Sequence, residues 1–195
     1  WTMTTEYPRR SERSRSAILV ATQDLIREQP YPKITIEGIA ARAGVGKQTI
    51  YRWWRSKGAV VVDALATQNS TDDLLPLPDT GDLATDMRTV LRATVDEFTS
   101  PDVEPLFRAL AIESLQDPAL QRQVVDQIYR PQLAQVDVRF RSAQKQGQIR
   151  SDVDSAIAFE LFVGPIFHRW MNGTFTLDYA HADTVVHLAM RALAP

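Results

Sequence analysis

Residues 34–58 read ITIEGIAARAGVGKQTIYRWWRSKG, and this stretch decides the fold of the 195-residue chain. Its apolar spacing predicts two short helices on either side of a Gly44-Val45-Gly46 break. A helix-turn-helix needs a small residue where its helices cross, a turn glycine free to take a positive φ, and an apolar residue that returns to the core. Ala40, Gly44 and Ile50 meet these needs in that order. An ordinary helical hairpin would show the same spacing, so the pattern alone leaves both structures open.

The second of these helices carries a concentration of hydrogen-bond donors and aromatic rings. Its polar and aromatic residues are Lys47, Gln48, Thr49, Tyr51, Arg52 and Trp53. A helix that served only for packing would bury mostly aliphatic side chains. A recognition helix instead presents its N-terminal side chains to base edges in the major groove, while hydroxyl groups and cations bind phosphate. The composition of this helix therefore favours DNA binding over the plain hairpin.

The charge of the chain is divided unevenly along its length. The formal net charge is −2, but residues 1–60 hold 11 Lys and Arg against 5 Asp and Glu, which gives +6 and leaves −8 for the remainder. A basic head on an acidic body indicates that the head meets a polyanion, although a chance clustering of solvated charges is the alternative. The arginines Arg9, Arg10, Arg13 and Arg15 belong to this part, either as an arm that reaches DNA or as a solvated tail.

Helical periodicity continues along the rest of the chain and predicts an all-α fold of about nine helices. The predicted helices cover residues 11–29, 36–43, 47–54, 57–68, 82–99, 105–116, 118–146, 152–172 and 178–193. Pro131 lies inside the seventh helix and should kink it. We predict a flexible basic arm over 1–10, a DNA-binding domain over 11–68 with a three-helix head and a connecting fourth helix, and a larger ligand-binding and dimerisation domain over 69–195. A polar connector with prolines, residues 69–81, begins this last domain.

The central stretch resembles the signature of the TetR family of transcriptional regulators. The signature is a threonine that caps the second helix, an I-A-x-x-A-G-V turn, and a T-[LI]-Y segment that leads through aromatic residues to S-K. The matching positions are Thr35, Ile39-Ala40, Ala43-Gly44-Val45, Thr49-Ile50-Tyr51, Trp53-Trp54 and Ser56-Lys57. The resemblance implies a sequence-specific regulator, typically a repressor that a small molecule releases from a pseudo-palindromic operator in double-stranded DNA.

Carried over by position, the resemblance implies a set of DNA contacts. Phosphate contacts are expected from Thr35, Thr49, Tyr51, Trp53 and Lys57, and base reading from Lys47 and Gln48, with Arg52 completing the DNA-binding set. The chemistry agrees, because lysine can donate to guanine O6 or N7 and glutamine can pair bidentately with adenine. Trp53 replaces the commoner histidine or tyrosine, and packing competes with a phosphate contact there. Trp54 fits the core.

The same resemblance implies a homodimer through the last two helices, which pack as a four-helix bundle in this family. The penultimate helix, SAIAFELFVGPIFHRWMNG over residues 155–173, is apolar almost all round. A helix without a polar face must be covered on every side, and a second copy would supply the missing cover. Burial within one subunit is the alternative.

Members of the family usually enclose a ligand pocket in the larger domain, and its lining is expected among the aromatic and apolar residues there. The candidates are Phe98, Phe107, Leu110, Tyr129, Phe140, Phe162, Phe167, His168 and Trp170. Each of them would also suit a plain core, so packing remains the alternative. The sequence does not identify the effector.

An enzyme is the competing class of protein, and the sequence argues against it. The chain has no cysteine and only 3 histidines, and it lacks the H-E-x-x-H and G-x-S-x-G motifs and a phosphate-binding glycine loop. We therefore expect no catalytic residues, no metal site and no cofactor. No apolar run approaches the roughly 20 residues of a membrane span, so we expect a cytoplasmic protein without a membrane partner. A nonspecific architectural DNA-binding protein remains the alternative function.

Overall fold

The computed structural model describes residues 6–68 and 77–195, and within them the regular elements are all helical. The helices are α1 (Glu6–Glu28), α2 (Ile36–Ala43), α3 (Lys47–Tyr51), α4 (Lys57–Gln68), α5 (Leu83–Thr99), α6 (Glu104–Gln116), α7 (Pro118–Val124), α8 (Arg130–Lys145), α9 (Ser155–Asn172) and α10 (Tyr179–Ala192). The predicted all-α fold is confirmed. Residues 1–5 of the predicted arm and 69–76 of the predicted connector lie outside the described residues.

The chain divides into two compact units. The first contains α1 to α4 together with Ala109–Ile128, and the second contains the described residues from 77 to Arg108 together with Tyr129–Pro195. The predicted domain boundary after residue 68 assigns Ala109–Ile128 to the larger domain. In the structure this segment packs with the first unit, because Leu120 of α7 lies against Gly58 of α4.

The core of the first unit explains why its short helices are stable. α1 packs against both α2 and α4, and Ile18 of α1, Ile39 of α2, Ile50 of α3 and Val60 of α4 are all completely buried. Short helices are marginal by themselves and depend on such tertiary packing. α3, with only 5 residues, is therefore held by the burial of Ile50.

The second unit is built around α5, α8, α9 and α10. Its core contains Leu83, Met87, Leu91, Val136, Phe140, Phe162, Ile166, Ala182, Val185 and Val186. One buried ion pair lies beside this core, where the guanidinium of Arg139 donates to Asp86 at 2.8 Å. Asp86 also accepts from the hydroxyl of Thr80 at 2.7 Å. The pair thereby ties the segment before α5 to α8.

Several helix boundaries differ from the predicted ones, three of them at the start of α1, at the end of α3 and between α7 and α8. α1 begins at Glu6 rather than Ser11, so residues 6–10 of the predicted arm are helical. α3 ends at Tyr51 rather than Trp54, because the Trp53 amide turns back to bond the Ile50 carbonyl at 2.9 Å, three residues earlier.

The third difference is at the predicted kink. The run from α7 to α8 is interrupted by a π-helical turn at Val125–Tyr129, immediately before Pro131. Proline has no amide hydrogen and its ring clashes with the carbonyl four residues earlier. The wider turn accommodates this clash, so the irregularity falls on the N-terminal side of the proline.

Candidate nucleic-acid interface

The helix-turn-helix of α2 and α3 forms as the sequence predicts. The hydroxyl of Thr35 caps α2 by accepting from the Gly38 amide at 3.0 Å. Gly44 ends α2 with φ 67° and ψ 32°, a left-handed conformation that favours glycine. Ala40 and Ile50 are buried at 4% and 0% exposure, as the crossing of the two helices requires. The predicted turn and core positions of the motif are confirmed.

Most of the predicted DNA-contacting side chains are open to solvent. Thr35, Lys47, Gln48, Tyr51, Arg52 and Trp53 are exposed, and Thr49 and Lys57 are half-buried. They lie at the start of α2, along α3 and its C-terminal turn, and at the start of α4. Two of these side chains are aromatic: Tyr51 is 50% exposed and Trp53 39%. An exposed surface of donors and rings suits a polyanionic partner better than a packing role.

On this surface, Lys47 forms an ion pair with Glu37. Its ammonium group lies 2.8 Å from a carboxylate oxygen of Glu37, in the first turn of α2. The hydrogen bond from Lys47 holds the pKa of Glu37 below its ordinary value, and the same bond raises the pKa of Lys47. Lys47 was predicted from the sequence as a base reader, but Glu37 was not, because the two residues are ten positions apart and meet only through the helix crossing.

The two tryptophans of the motif have different environments. Trp54 is 4% exposed, and its indole nitrogen donates to the Asp63 carboxylate at 2.8 Å. Trp53 remains exposed, and the Arg15 guanidinium lies 5.9 Å from its ring centre and 5.8 Å from that of Trp54. The core position predicted for Trp54 is confirmed. Trp53 keeps its indole available, so its predicted phosphate contact stays a prediction.

Asp63 is the polar centre of the first unit. This carboxylate is 8% exposed, and besides Trp54 it accepts from Arg15 at 2.9 Å and from Gln123 at 2.9 Å. Buried carboxylates need such donors to offset their desolvation. Asp63, which lies in α4, therefore connects this helix to α1, to the turn after α3 and to α7.

Lys57 at the start of α4 points toward the 3-10 turn that follows α1. Its ammonium nitrogen lies 3.7 Å from the centre of the Tyr31 ring and donates to the Tyr31 carbonyl at 3.1 Å. Burial lowers the pKa of Lys57, while the charge of Glu113 opposes this shift. The hydroxyl of Tyr31 donates to Glu113 of α6 at 2.8 Å. The lysine that the resemblance assigns to phosphate is thus held by a cluster that reaches α6.

The predicted ligand-binding residues fall into separate groups in the structure. Phe98, Phe107, Phe167 and Trp170 form an aromatic cluster in the second unit, with the Phe98 and Trp170 rings stacked at 4.3 Å and Phe107 6.1 Å from Phe98. Phe140 and Phe162 are completely buried in the core of the same unit. Tyr129 and His168 are exposed, and Leu110 is buried in the first unit. The fold thus brings four of the predicted rings together in this cluster, and Phe140 and Phe162 meet separately in the core, with ring centres 5.9 Å apart.

A surface cleft of about 360 Å³ lies between α9 and α10 in the second unit. Its lining residues are Gly164, Pro165, His168, Arg169, Thr174, Phe175 and His181. Burial, followed by the charge of Arg169, lowers the pKa of His181. Of the predicted ligand-binding residues, only His168 reaches this cleft.

Residues 6–68 and 77–195 bring no group of three or more metal-ligating side chains together. The same residues include no helix with the length and apolarity that crossing a bilayer requires.

A capped helix-turn-helix with exposed donors on its second helix, joined to a larger helical unit, defines a DNA-binding transcriptional regulator. The family model of bacterial regulatory proteins of the tetR family matches residues 18–64. The model of the tetracyclin repressor-like C-terminal domain matches residues 77–189. The chain belongs to the TetR family, whose members are transcriptional regulators and not enzymes.

Relatives and solved structures agree with this assignment over nearly the whole chain. An uncharacterized HTH-type transcriptional regulator of Bacillus subtilis, YdeS, is 31% identical over 183 residues, which cover 94% of this chain and 89% of that protein. The DNA-binding transcriptional repressor TetR of Mycobacteroides abscessus is 28% identical over 162 residues, covering 80% and 81% of the two chains. The crystal structure of the TetR family regulator SCO0332 has a TM-score of 0.78 and 28% identity, and the match covers 93% of this chain and 99% of that one.

Proposed function

We propose that this protein is a homodimeric repressor that binds a pseudo-palindromic operator and leaves it when a small molecule binds the second unit. The observation that carries the proposal is the exposed polar surface of α3, where Lys47 and Gln48 lie in the first turn of a helix positioned by the Thr35 cap and the Gly44 turn. The N-terminal residues of a recognition helix are the ones that reach base edges. One α3 per half-site would read each of two successive major grooves.

The charge distribution supports electrostatic attraction of the head to DNA. The first 60 residues carry a net charge of +6, and the exposed or half-buried set of Thr35, Thr49, Tyr51, Arg52, Trp53 and Lys57 offers donors for phosphate. About four to six phosphate contacts per head would make log K fall with log salt at a slope of about −7 to −11 for a dimer.

An exposed apolar face on α9 supports the dimer. Ile157 and Leu161 are 59% and 41% exposed, and Leu188 of α10 is 59% exposed. Ile157, Leu161 and Pro165 recur at intervals of four residues, so they share one side of α9. A face of this kind is costly to leave in water, and a second copy of the same two helices would cover it.

Repression rather than activation is the simplest outcome of operator binding. The Mycobacteroides abscessus relative is named a repressor, and it aligns with 80% of this chain. A dimer seated across two major grooves would exclude polymerase from an overlapping promoter.

The aromatic cluster of Phe98, Phe107, Phe167 and Trp170 supports an apolar or aromatic effector. Flat rings in one cluster provide large contact areas for such a molecule. The effector would release DNA only by binding better to a conformation whose heads are wrongly spaced for grooves about 34 Å apart. A coupling of about 1–3 kcal/mol would weaken operator binding about 5- to 150-fold.

A path for this coupling is present inside the first unit. The C-terminal half of α6 meets the turn after α1 through Glu113 and Tyr31, and α7 meets α4 through Gln123 and Asp63. α6 contributes residues to both units. A displacement of α6 would therefore be felt at the start of α4, beside Lys57.

Footprinting on the DNA that flanks the protein's own gene tests the proposal. A short, two-fold symmetric footprint would support a regulator, whereas diffuse protection would indicate a nonspecific architectural protein. Gln48→Ala should relax the preference at one base position per half-site by about 1–3 kcal/mol. Arg52→Ala, at the exposed position that directly follows α3, should instead weaken the binding of all DNA sequences by the same factor. If Gln48→Ala leaves the base preference unchanged and Arg52→Ala leaves the affinity unchanged, α3 does not lie in the interface.

A further inference from the structure

Glu37 and Lys47 place a donor and an acceptor side by side at the start of the two interface helices. The ammonium nitrogen and the carboxylate oxygen are 2.8 Å apart, and the side chains are 53% and 63% exposed for Lys47 and Glu37. Glu37 lies in the first turn of α2, and Lys47 is the first residue of α3. Both groups therefore belong to the surface that would enter the major groove.

Stability does not explain this pair. Exposed ion pairs add little to folding free energy, because water screens them and two long side chains must be ordered. A carboxylate is also unfavourable on a surface that approaches phosphates. Glu37 would favour the N-terminal turn of α2 through the helix dipole, but that effect requires no contact with Lys47. The pair calls for a role in which the carboxylate itself meets the DNA.

The bonding capacity of the pair is only partly used. An ammonium group has three donors, and Glu37 takes one of them. Two donors of Lys47 remain, and the Glu37 oxygen that accepts from Lys47 has a second lone pair with which to accept another hydrogen bond. The pair thus presents a double donor beside an acceptor.

The major-groove edge of a G·C base pair has the complementary pattern. Guanine offers two acceptors, N7 and O6, and cytosine offers the N4 donor next to O6. O6 and N4 are hydrogen-bonded to each other, so they lie about 2.9 Å apart. This spacing matches the 2.8 Å between the Lys47 and Glu37 atoms.

We propose that Glu37 and Lys47 together read one G·C base pair in each half-site, with Lys47 donating to guanine O6 and N7 and Glu37 accepting from cytosine N4. This inference rests on the proposed operator binding and assigns Glu37 as a specificity-determining residue.

The other base pairs fit the Glu37–Lys47 pair less well. A T·A pair keeps an acceptor beside a donor, thymine O4 next to adenine N6, but its thymine methyl group would replace N7 beside the ammonium, so Lys47 would lose one of its two acceptors. In the reversed C·G and A·T orientations, the amino group would face the ammonium and the carbonyl would face the carboxylate. Mispaired donors and acceptors of this kind are what generate discrimination.

The test starts from the operator defined by footprinting and uses base analogues with the unmodified protein. N4-methylcytosine keeps the Watson–Crick bond but places a methyl group where Glu37 would accept, and 7-deazaguanine removes one acceptor of Lys47. At one position per half-site, each analogue should weaken binding about 5- to 150-fold. Fluorescence anisotropy titrations measure these ratios without any change to the fold.

Two substitutions assign the effect to Glu37. In Glu37→Ala, the N4-methyl group should no longer weaken binding and the preference for G·C at that position should fall, while the 7-deazaguanine effect, which acts through Lys47, should remain. Glu37→Gln keeps an amide oxygen that can accept, so it should retain part of the N4-methyl effect. Glu28→Gln is the matched control, because it breaks another exposed ion pair of the same unit, with Arg42, and should leave every base preference intact. Circular dichroism checks that α2 is still formed.

Several results separate this inference from the proposed function. If Glu37→Ala raises the affinity for all sequences equally, or changes no affinity, the carboxylate does not read a base and the inference is overturned. An N4-methyl penalty that persists in Glu37→Ala overturns it as well. If the unmodified protein prefers no sequence at all, the proposed function itself fails, and that result is visible before any variant is made.

Discussion

The ammonium group of Lys57 lies 3.7 Å from the centre of the Tyr31 ring, within the range of a cation–π interaction. The same nitrogen donates to the Tyr31 carbonyl at 3.1 Å. The lysine therefore serves the packing of the first unit in this conformation, while family resemblance assigns it to phosphate. The two roles predict different effects of removing its charge.

Lys57→Met keeps most of the aliphatic stem and removes the ammonium group. If Lys57 contacts phosphate in the complex, the slope of log K against log salt should become shallower by about 0.9 for each head, or about 1.8 for a dimer. Operator titrations at several salt concentrations measure this slope. An unchanged slope with a lower unfolding midpoint would show that Lys57 acts only through Tyr31.

Asp63 provides a prediction about stability. Asp63→Ala leaves the buried indole nitrogen of Trp54 and the Arg15 guanidinium without their acceptor, so the free energy of unfolding should fall by about 2–4 kcal/mol. Urea denaturation measures this loss. Asp24→Ala is the matched control, since its ion pair with Arg27 is exposed and should change stability by less than about 1 kcal/mol. Equal effects of the two substitutions would contradict the role given to Asp63.

Local signals in the sequence were sufficient for the helix-turn-helix. A threonine cap, a left-handed glycine and the burial of Ile50 depend on residues only a few positions apart, and the structure confirms each of them. The interaction of Glu37 with Lys47 was not predictable in this way, because it depends on the angle at which α2 and α3 cross. The direction of the Lys57 side chain was likewise set by Tyr31, which lies 26 positions earlier.

The side-chain environments in the second unit were less predictable, for a different reason. Phe140 and Phe98 are the same type of residue, and both lie in helices of the second unit. Phe140 is completely buried in the core, whereas Phe98 stacks on Trp170 in the aromatic cluster. Hydrophobic periodicity identifies which face of a helix turns inward, but it does not distinguish a packed core from the wall of a pocket. The π turn was displaced from the predicted kink because proline disrupts the residues before it.

The exposed face of α9 leads to a prediction about the dimer. Leu161→Glu should place an unpaired carboxylate in the proposed interface and convert dimers to monomers, with loss of operator binding although the head is unchanged. Leu115→Glu is the matched control, because Leu115 is an exposed leucine outside α9 and α10. Sedimentation equilibrium measures the oligomeric state. A soluble monomer in the unmodified protein at micromolar concentration would contradict the proposed dimer.

The cleft between α9 and α10 leads to a prediction about pH. Burial and then Arg169 lower the pKa of His181, so the unfolded or more exposed state binds the proton more readily. The contribution of His181 to stability is present above about pH 6.5 and is lost as pH falls below it toward the lower pKa of the folded state. If a second copy covers the cleft, it adds to this burial, and the dimer should weaken as pH falls from about 6.5 to about 5. His181→Asn should reduce the dependence on pH, whereas His187→Asn, at an exposed position of α10, should not. A dimer equally strong across this range would place His181 outside the interface.

The aromatic cluster of the second unit leads to the prediction about induction. Phe107 is half-buried and lies 6.1 Å from Phe98, so Phe107→Leu should remove part of the surface that an apolar effector would contact, without a large change in the fold. The first step is a thermal-shift screen of small apolar and aromatic compounds, followed by operator titration with each compound that stabilises the protein. Phe107→Leu should then abolish the response to the effector and leave operator affinity unchanged in its absence. Phe159→Leu is the matched control, because the Phe159 ring packs against the core, 6.3 Å from the centre of the Phe140 ring, and this variant should keep the response.

By reciprocity, operator DNA should weaken the binding of the effector by the same factor by which the effector weakens operator binding. Compounds that stabilise the protein but leave its operator affinity unchanged would show that the cluster binds ligands without sensing them.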